Sequence, residues 1–368
     1  MATALIYDDR FLRHDVGQGL LYMPGIPEQE SGERLGGPSV VRRSRHLLVA
    51  SGLAAQLTEI TPRLAGADEL AYVHTPEYIA HIRACSDGAG GDAGSITPIN
   101  TGTYEIAARA AGGAITAVDA VLRGEAANAF ALLRPPGHHA LADFGMGGCI
   151  FGNVAIAACR ARRRGLARVA IVDWDVHHGN GTQAAFYDDP SVLFISLHQD
   201  GLYPEGSGPE TEVGGGAARG YNVNIPLPAG TSEAGYLHAF ERVVIPVLRQ
   251  FAPELILVSA GLDASIYDQM GRMMVSSEGF RTMTRLVKAV ADETSQGRLA
   301  ICMEGGYSPV YVPFCVLTMV EELSGVRSRV ADPFLPSINL IPTVHRVTIE
   351  VEQAVLRVVE LQRSYWEL

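Results

Sequence analysis

The chain has 368 residues, 47% of them hydrophobic, enough to bury the core of one large α/β domain. Its formal net charge of −11 argues against a nucleic-acid surface, and no stretch approaches the ~20 apolar residues that span a bilayer. The first residues lack a secretory pattern, and Cys85, Cys149, Cys159, Cys302 and Cys315 show no CxxC spacing, so reduced thiols in a cytoplasmic protein are expected.

Short apolar runs predict strands over 3–7, 129–133, 169–172, 193–197, 255–260 and 299–303. Helical periodicity predicts helices over 104–122, 154–164, 233–250, 277–293 and 313–323. From residue 129 onward the strands return mostly through a helix, which implies a parallel sheet covered on both faces. Segments 17–38 and 201–220 read as long irregular loops of the kind that form functional rims or interfaces. Residues 347–363 carry apolar side chains at near-helical spacing, suited to docking on the body or on another subunit.

Polar residues gather where these strands end: 134–139, 173–178, Ser196 and His198, Asp263, and 304–307. In open α/β sheets that edge is where ligands bind. A single strand-end Asp is more often a helix cap or turn residue. Asp175 and His177, however, share one side of an extended segment and combine with Asp263 into two carboxylates and an imidazole. That set suits one catalytic divalent metal, zinc or a related ion, with a coordination position left open. Adjacent His138 and His139 suit acid/base work near neutrality, and Asp173, two residues before Asp175, could orient one of them. Tyr307, after Glu304-Gly305-Gly306, could donate to a developing oxyanion.

Five motifs together resemble the histone deacetylase superfamily, and within it the bacterial histone-deacetylase-like amidohydrolases related to class II enzymes. They are Arg134-Pro135-Pro136-Gly137-His138-His139, Asp173-Trp174-Asp175-Val176-His177-His178-Gly179-Asn180-Gly181-Thr182, Ser196-Leu197-His198, Gly261-Leu262-Asp263-Ala264 and Glu304-Gly305-Gly306-Tyr307-Ser308. The resemblance implies an α/β fold of the arginase/deacetylase type, with an eight-stranded parallel sheet flanked by helices. It implies a single domain over 1–368, with the likeness covering about 1–325 and a helical extension over 328–368.

By the same resemblance Asp175, His177 and Asp263 match zinc ligands, His138 and His139 the acid/base pair, and Tyr307 the carbonyl-polarising phenol. Asp173 would pair with His138 and the neutral Asn180 with His139, leaving His139 more readily an unprotonated base. Structural potassium is implied at an inner site matching Asp173, Asp175, His177, Ser196 and Leu197. An outer potassium site matches Phe186, Asp189, Val192 and Tyr221. The substrate tunnel would be lined by Tyr203, Met270, Gly306 and Gly148.

Gly148 departs from the family, which places Phe there, so the vacancy is expected either to be refilled by a neighbour such as Tyr203 or to widen the tunnel. Gly152 stands where Asn is usual, and Asp92 is the nearest match to the rim Asp that grips the substrate backbone. The implied activity is zinc-dependent hydrolysis of acetyl-lysine-like amides, with linear hydroxamates as inhibitors and a homodimer or homotetramer as the assembly. Acetylpolyamine hydrolysis is the alternative, disfavoured because Met270 stands where a polyamine-selective relative has an acidic gatekeeper. A non-catalytic acyl-binding module would normally have a damaged catalytic set, and this one is whole.

Overall fold

Every residue of Val169–Asp173 is buried, and strict alternation divides its side chains between two cores. Val169 and Ile171 join one hydrophobic cluster, Ala170 and Val172 another. Leu255 and Leu257 are likewise separated from Ile256 and Val258, and Ala300 and Cys302 from Leu299 and Ile301. A strand apolar on both faces needs a helical layer on each side, which is the condition under which parallel sheets are stable.

The computed structural model describes residues 2–16 and 36–368. Among them, eight strands form one sheet: β1 (Ala4–Ile6), β2 (Thr58–Ile60), β3 (Ala129–Ala131), β4 (Val169–Asp173), β5 (Val192–Gln199), β6 (Asn222–Leu227), β7 (Leu255–Ala260) and β8 (Leu299–Met303). Their spatial order is β6-β5-β4-β7-β8-β3-β1-β2, with every neighbouring pair parallel. Helices Thr103–Leu122 and Asn153–Arg163 cover one face. On the other lie Ser277–Thr294, Val312–Ser324 and Ile349–Gln362.

Two of these strands carry no clear sequence signal, and both are edges. Thr58–Ile60 is short and largely exposed. Asn222–Leu227 contains Pro226, which removes a backbone donor and is tolerated because β6 has a neighbour on one side only. The helix predicted over 233–250 contains a π-turn at Phe240–Val244 between Glu233–Ala239 and Ile245–Phe251. Pro246 cannot donate one turn back, and a wider turn accommodates that loss.

Of the irregular segment 17–38, residues 17–35 lie outside the described residues; helix Ser39–Ala50 follows it. The C-terminal helix docks on the body. Gln362 Nε2 donates to Asn222 O at 3.3 Å, and Trp366 Nε1 to Gly220 O at 2.9 Å. Among the described residues no helix is long and apolar enough to cross a membrane.

The chain leaves β4 towards β5 and β6, then returns to place β7 on the opposite side of β4. The crevice between the carboxyl ends of β4 and β7 is therefore a topological switch point, the position at which such sheets bind ligands.

A buried histidine ties two loops beside this edge. His74 Nδ1 lies 2.9 Å from Leu141 O, and its Nε2 accepts from Gly152 N–H at 2.9 Å, so the ring is neutral. Burial pushes its pKa down to about 4. Its contribution to stability is therefore complete above the unfolded value near 6.5 and is lost as pH falls towards 4. At about 1.4 kcal/mol per pH unit, some 2 kcal/mol should disappear between pH 6.5 and 5. Urea midpoints at pH 7 and pH 5 should fall less for His74→Gln than for the wild type; equal falls would contradict the assignment.

Candidate metal centre

Four adjacent strands, β4, β7, β8 and β3, deliver their following residues to one point. Asp175 and His177 come from the segment after β4, Asp263 from that after β7, and 304–307 and 134–139 from those after β8 and β3. All three candidate ligands are buried, and one ligand atom from each lies within 4.8 Å of the others. His177 Nδ1 is 2.9 Å from Asp175 Oδ1 and 3.3 Å from Asp263 Oδ2.

Two glycines permit this convergence. A Cβ at Gly261 would lie 2.2 Å from Asp175 Oδ2, and one at Gly305 would lie 2.2 Å from Asp263 Oδ2. The remaining carboxylate oxygens are held by the backbone: Val176 N–H donates to Asp263 Oδ1 and Gly305 N–H to Asp175 Oδ2, both at 2.9 Å. Asp263 Oδ2 is left buried without a well-formed hydrogen bond, because the nearby His177 Nδ1 is directed at the closer Asp175 Oδ1. Burial and the neighbouring charge of Asp175 push the Asp263 carboxyl upward.

A cation placed among these atoms would relieve both the orphaned oxygen and the repulsion. Oxygens and nitrogens bound to one tetrahedral zinc at about 2.0–2.1 Å lie roughly 3.3 Å apart, close to the observed separation of His177 Nδ1 and Asp263 Oδ2. The donor set fits zinc.

The two imidazoles of 138 and 139 stack with ring centroids 3.9 Å apart and have different partners. His138 Nδ1 donates to Asp173 Oδ2 at 3.0 Å. Burial opposes a charge on this ring, but the carboxylates of Asp175 and Asp173 prevail and raise it to about 10. His139 Nδ1 donates to Asn180 Oδ1 at 2.8 Å, which leaves Nε2 as the acceptor. Burial, followed by the charges of His138 and His177, holds His139 well below its ordinary value. The geometry thus pairs a ring held by a carboxylate with a ring held by a neutral amide.

A cavity of about 320 Å³ opens on this point. Its lining includes His139, His177 and Tyr307, together with all four tunnel residues expected from sequence: Gly148, Tyr203, Met270 and Gly306. The half-buried Tyr307 has its phenol pushed well above 10 by burial and by Asp263 and Asp175, so it remains a donor. Tyr203 packs edge-on against His139 at 5.0 Å. At Gly148 an added Cβ would meet nothing within 4 Å, so no side chain crowds that position.

The residues matched to monovalent cations fall in two places. Asp173 and Ser196 are paired in register across β4 and β5, and Leu197 follows on β5. Phe186, Asp189 and Val192 lie on the turn into β5, where Asp189 N–H donates to Phe186 O and Val192 N–H to Asp189 O; Tyr221 O accepts from Phe194 N–H.

Asp92 does not line this cavity, although its loop does, and the expectation that it faces the substrate is corrected. Its carboxylate accepts from Gly94 N–H at 2.8 Å and Thr97 N–H at 3.4 Å, and the residue lines a separate surface cleft. Two other carboxylates have a place that sequence did not assign. Glu304 accepts from Gly137 N–H at 2.6 Å and His138 N–H at 3.2 Å, fixing the histidine loop to β8. Asp268 accepts from Tyr307 N–H at 2.6 Å, Ser308 N–H at 3.1 Å and Met270 N–H at 2.9 Å, joining the tyrosine and methionine loops. Burial raises each to about 7. An acidic residue directly following a fully apolar strand was the available signal for Glu304; Asp268 had none.

Residues 37–323 match the histone deacetylase domain family. The chain is 45% identical to a histone deacetylase-like amidohydrolase of Pseudomonas aeruginosa, over 92% of this chain and 90% of that protein. It is 36% identical to mouse polyamine deacetylase HDAC10, over 100% of this chain and 53% of the longer mouse protein. Among solved structures it resembles the HDA15 HD domain, with a TM-score of 0.86 and 32% identity, over 99% of this chain and 95% of that one.

Proposed function

Because the chain belongs to the histone deacetylase family, we propose that it is a zinc-dependent hydrolase of acyl-lysine-like amides. The observation that carries this reading is the buried Asp175, His177 and Asp263 set, whose His177 lines a cavity together with His139 and Tyr307.

Zinc, when bound, would supply Lewis acidity to the amide carbonyl and to water. The protein's own groups would do the rest. His139, held by Asn180 with its Nε2 free to accept, takes a proton from the attacking water. The imidazole pair returns a proton to the departing amine, with Asp173 steadying the charge on His138; neighbouring rings of this kind titrate as a unit. Tyr307 donates to the carbonyl oxygen as its charge develops. Structural potassium at the inner and outer sets named above belongs to the same proposal.

The likeness to a polyamine deacetylase makes acetylpolyamines the second substrate class to test. Met270 lines the cavity as a half-buried thioether and offers a polycation no charge partner. With zinc present, acetyl-lysine peptides should match or exceed acetylspermidine in kcat/KM, and chelator should abolish both activities. A preference for the polyamine beyond about tenfold, or 1.4 kcal/mol, would reverse the substrate assignment. Full activity after metal removal would remove the zinc.

A further inference from the structure

One wall of the cavity mouth is built from two loops stitched together. Gly91-Asp92 pairs antiparallel with Pro98-Ile99, and Gly94-Ser95 runs parallel to Gly145-Met146. Asp92 clamps the turn through Gly94 N–H and Thr97 N–H. Gly147 N–H donates to Ser95 O at 3.2 Å, and Gly148 N–H to Thr97 Oγ1 at 3.1 Å. The turn is thus held by its own carboxylate on one side and by the glycine loop on the other.

At its tip sits Ile96, in the left-handed region with φ +53°. A β-branched residue is a poor occupant of that region, which glycine or asparagine enters at far lower cost. Strained backbone of this kind persists where the surroundings over-determine it, and it clusters at ligand-contacting sites. Ile96 is half-buried, and its residue lines the same cavity as His177 and Tyr307. The adjoining Gly147-Gly148 shelf contributes no side chain, and the space at Gly148 is open. This double loop thus supplies Ile96 and Pro98 to the cavity lining, where Leu202 and Met270 also lie, and Ile96 is the flexible aliphatic side chain of the two.

We propose that Ile96 is a specificity-determining residue: it contacts the part of the substrate that emerges from the cavity and selects acylated amines carrying an apolar or aromatic group there over those carrying a polar one. The proposal rests on the deacylase reading and adds to it the chemistry of the group beside the acylated arm. The shelf beside Ile96 is open at Gly148, where an added Cβ would meet nothing within 4 Å, and that opening leaves room for a ring against the sec-butyl group.

The test uses two acetyl-lysine substrates with the same acyl group and arm, one bearing an aromatic amide at the lysine carbonyl and the other a glycinamide. Zinc-loaded wild type is compared with Ile96→Gly, Ile96→Asn and Ile96→Leu. Glycine and asparagine adopt the left-handed backbone readily, so the loop is retained in both, and Tm should hold or rise in Ile96→Gly. The aromatic preference in kcat/KM should fall about tenfold in the glycine and asparagine variants, the size expected for losing a few apolar contacts in a pocket. The loss should appear in KM, and Ile96→Leu should retain the preference. A preference that is the same in all four proteins, or lost equally in Ile96→Leu, overturns the proposal while leaving the deacylase reading in place. Failure of the zinc-loaded wild type to hydrolyse either substrate overturns the deacylase reading itself.

Discussion

Asp263→Asn is expected to abolish hydrolysis and zinc retention together while the fold survives. The substitution removes one carboxylate charge but keeps an oxygen that can accept from Val176 N–H, the bond Asp263 Oδ1 makes at 2.9 Å. Asp263→Ala would also strand that buried N–H, at a cost of about 1–3 kcal/mol, so it confounds metal loss with destabilisation. The loss of affinity should exceed the roughly 10–100-fold seen when only an outer partner of a metal ligand is changed. Elemental analysis reports zinc content. Thermal unfolding gives a second readout, because an ion bound only by the folded state raises Tm as its concentration rises. Wild type should respond to added zinc and the variant should not. A variant with full activity, or with an unchanged zinc-dependent rise in Tm, would show that Asp263 is not a ligand.

How far sequence reached is clearest at the strands. Val169–Asp173, Leu255–Ala260 and Leu299–Met303 are buried on both faces and so read as continuous apolar runs; their positions and the polar residues after them were legible. The edge strands Thr58–Ile60 and Asn222–Leu227 were not, because one is short and exposed and the other is interrupted by Pro226. Helices Ser39–Ala50 and Pro76–Asp87 also escaped notice. The first has an unbroken polar run over 42–46 between its apolar residues and buries only Val40, Val41, Ser44 and Leu48.

At the site, the candidate metal ligands were recognisable from type and spacing, and the partners of His138 and His139 were those that the family resemblance implied. The residues that hold loops in place were not. Asp268 bonds only to backbone N–H groups brought together by folding, Glu304 lies 166 positions from the histidine whose N–H it accepts, and Ile96 is distinguished by its φ rather than by its chemistry. Asp92 shows the converse, since an acidic residue near the expected rim spends its carboxylate on its own turn.

Tyr307→Phe separates binding from chemistry. The hydroxyl is a donor on the cavity wall, and its phenol is kept protonated by burial and by the charges of Asp263 and Asp175. A neutral amide oxygen gains little from such a donor in water-like competition, whereas the charge that develops on it during attack gains much, so the contribution falls mainly in the transition state. Removing one oxyanion donor typically costs about 10²–10³-fold in kcat, or ~2.7–4 kcal/mol, and a similar fall is expected here with KM little changed. The backbone of residue 307 remains tied to Asp268 through its N–H, so the phenylalanine ring should keep its place and zinc content should be unaltered. Asp268→Asn provides the companion measurement, since it leaves the phenol intact but weakens the bonds that set its loop. If orientation matters, that variant should lose part of the same kcat; if Tyr307→Phe leaves kcat unchanged, the tyrosine is a packing residue and the oxyanion donor must be sought elsewhere on the cavity wall.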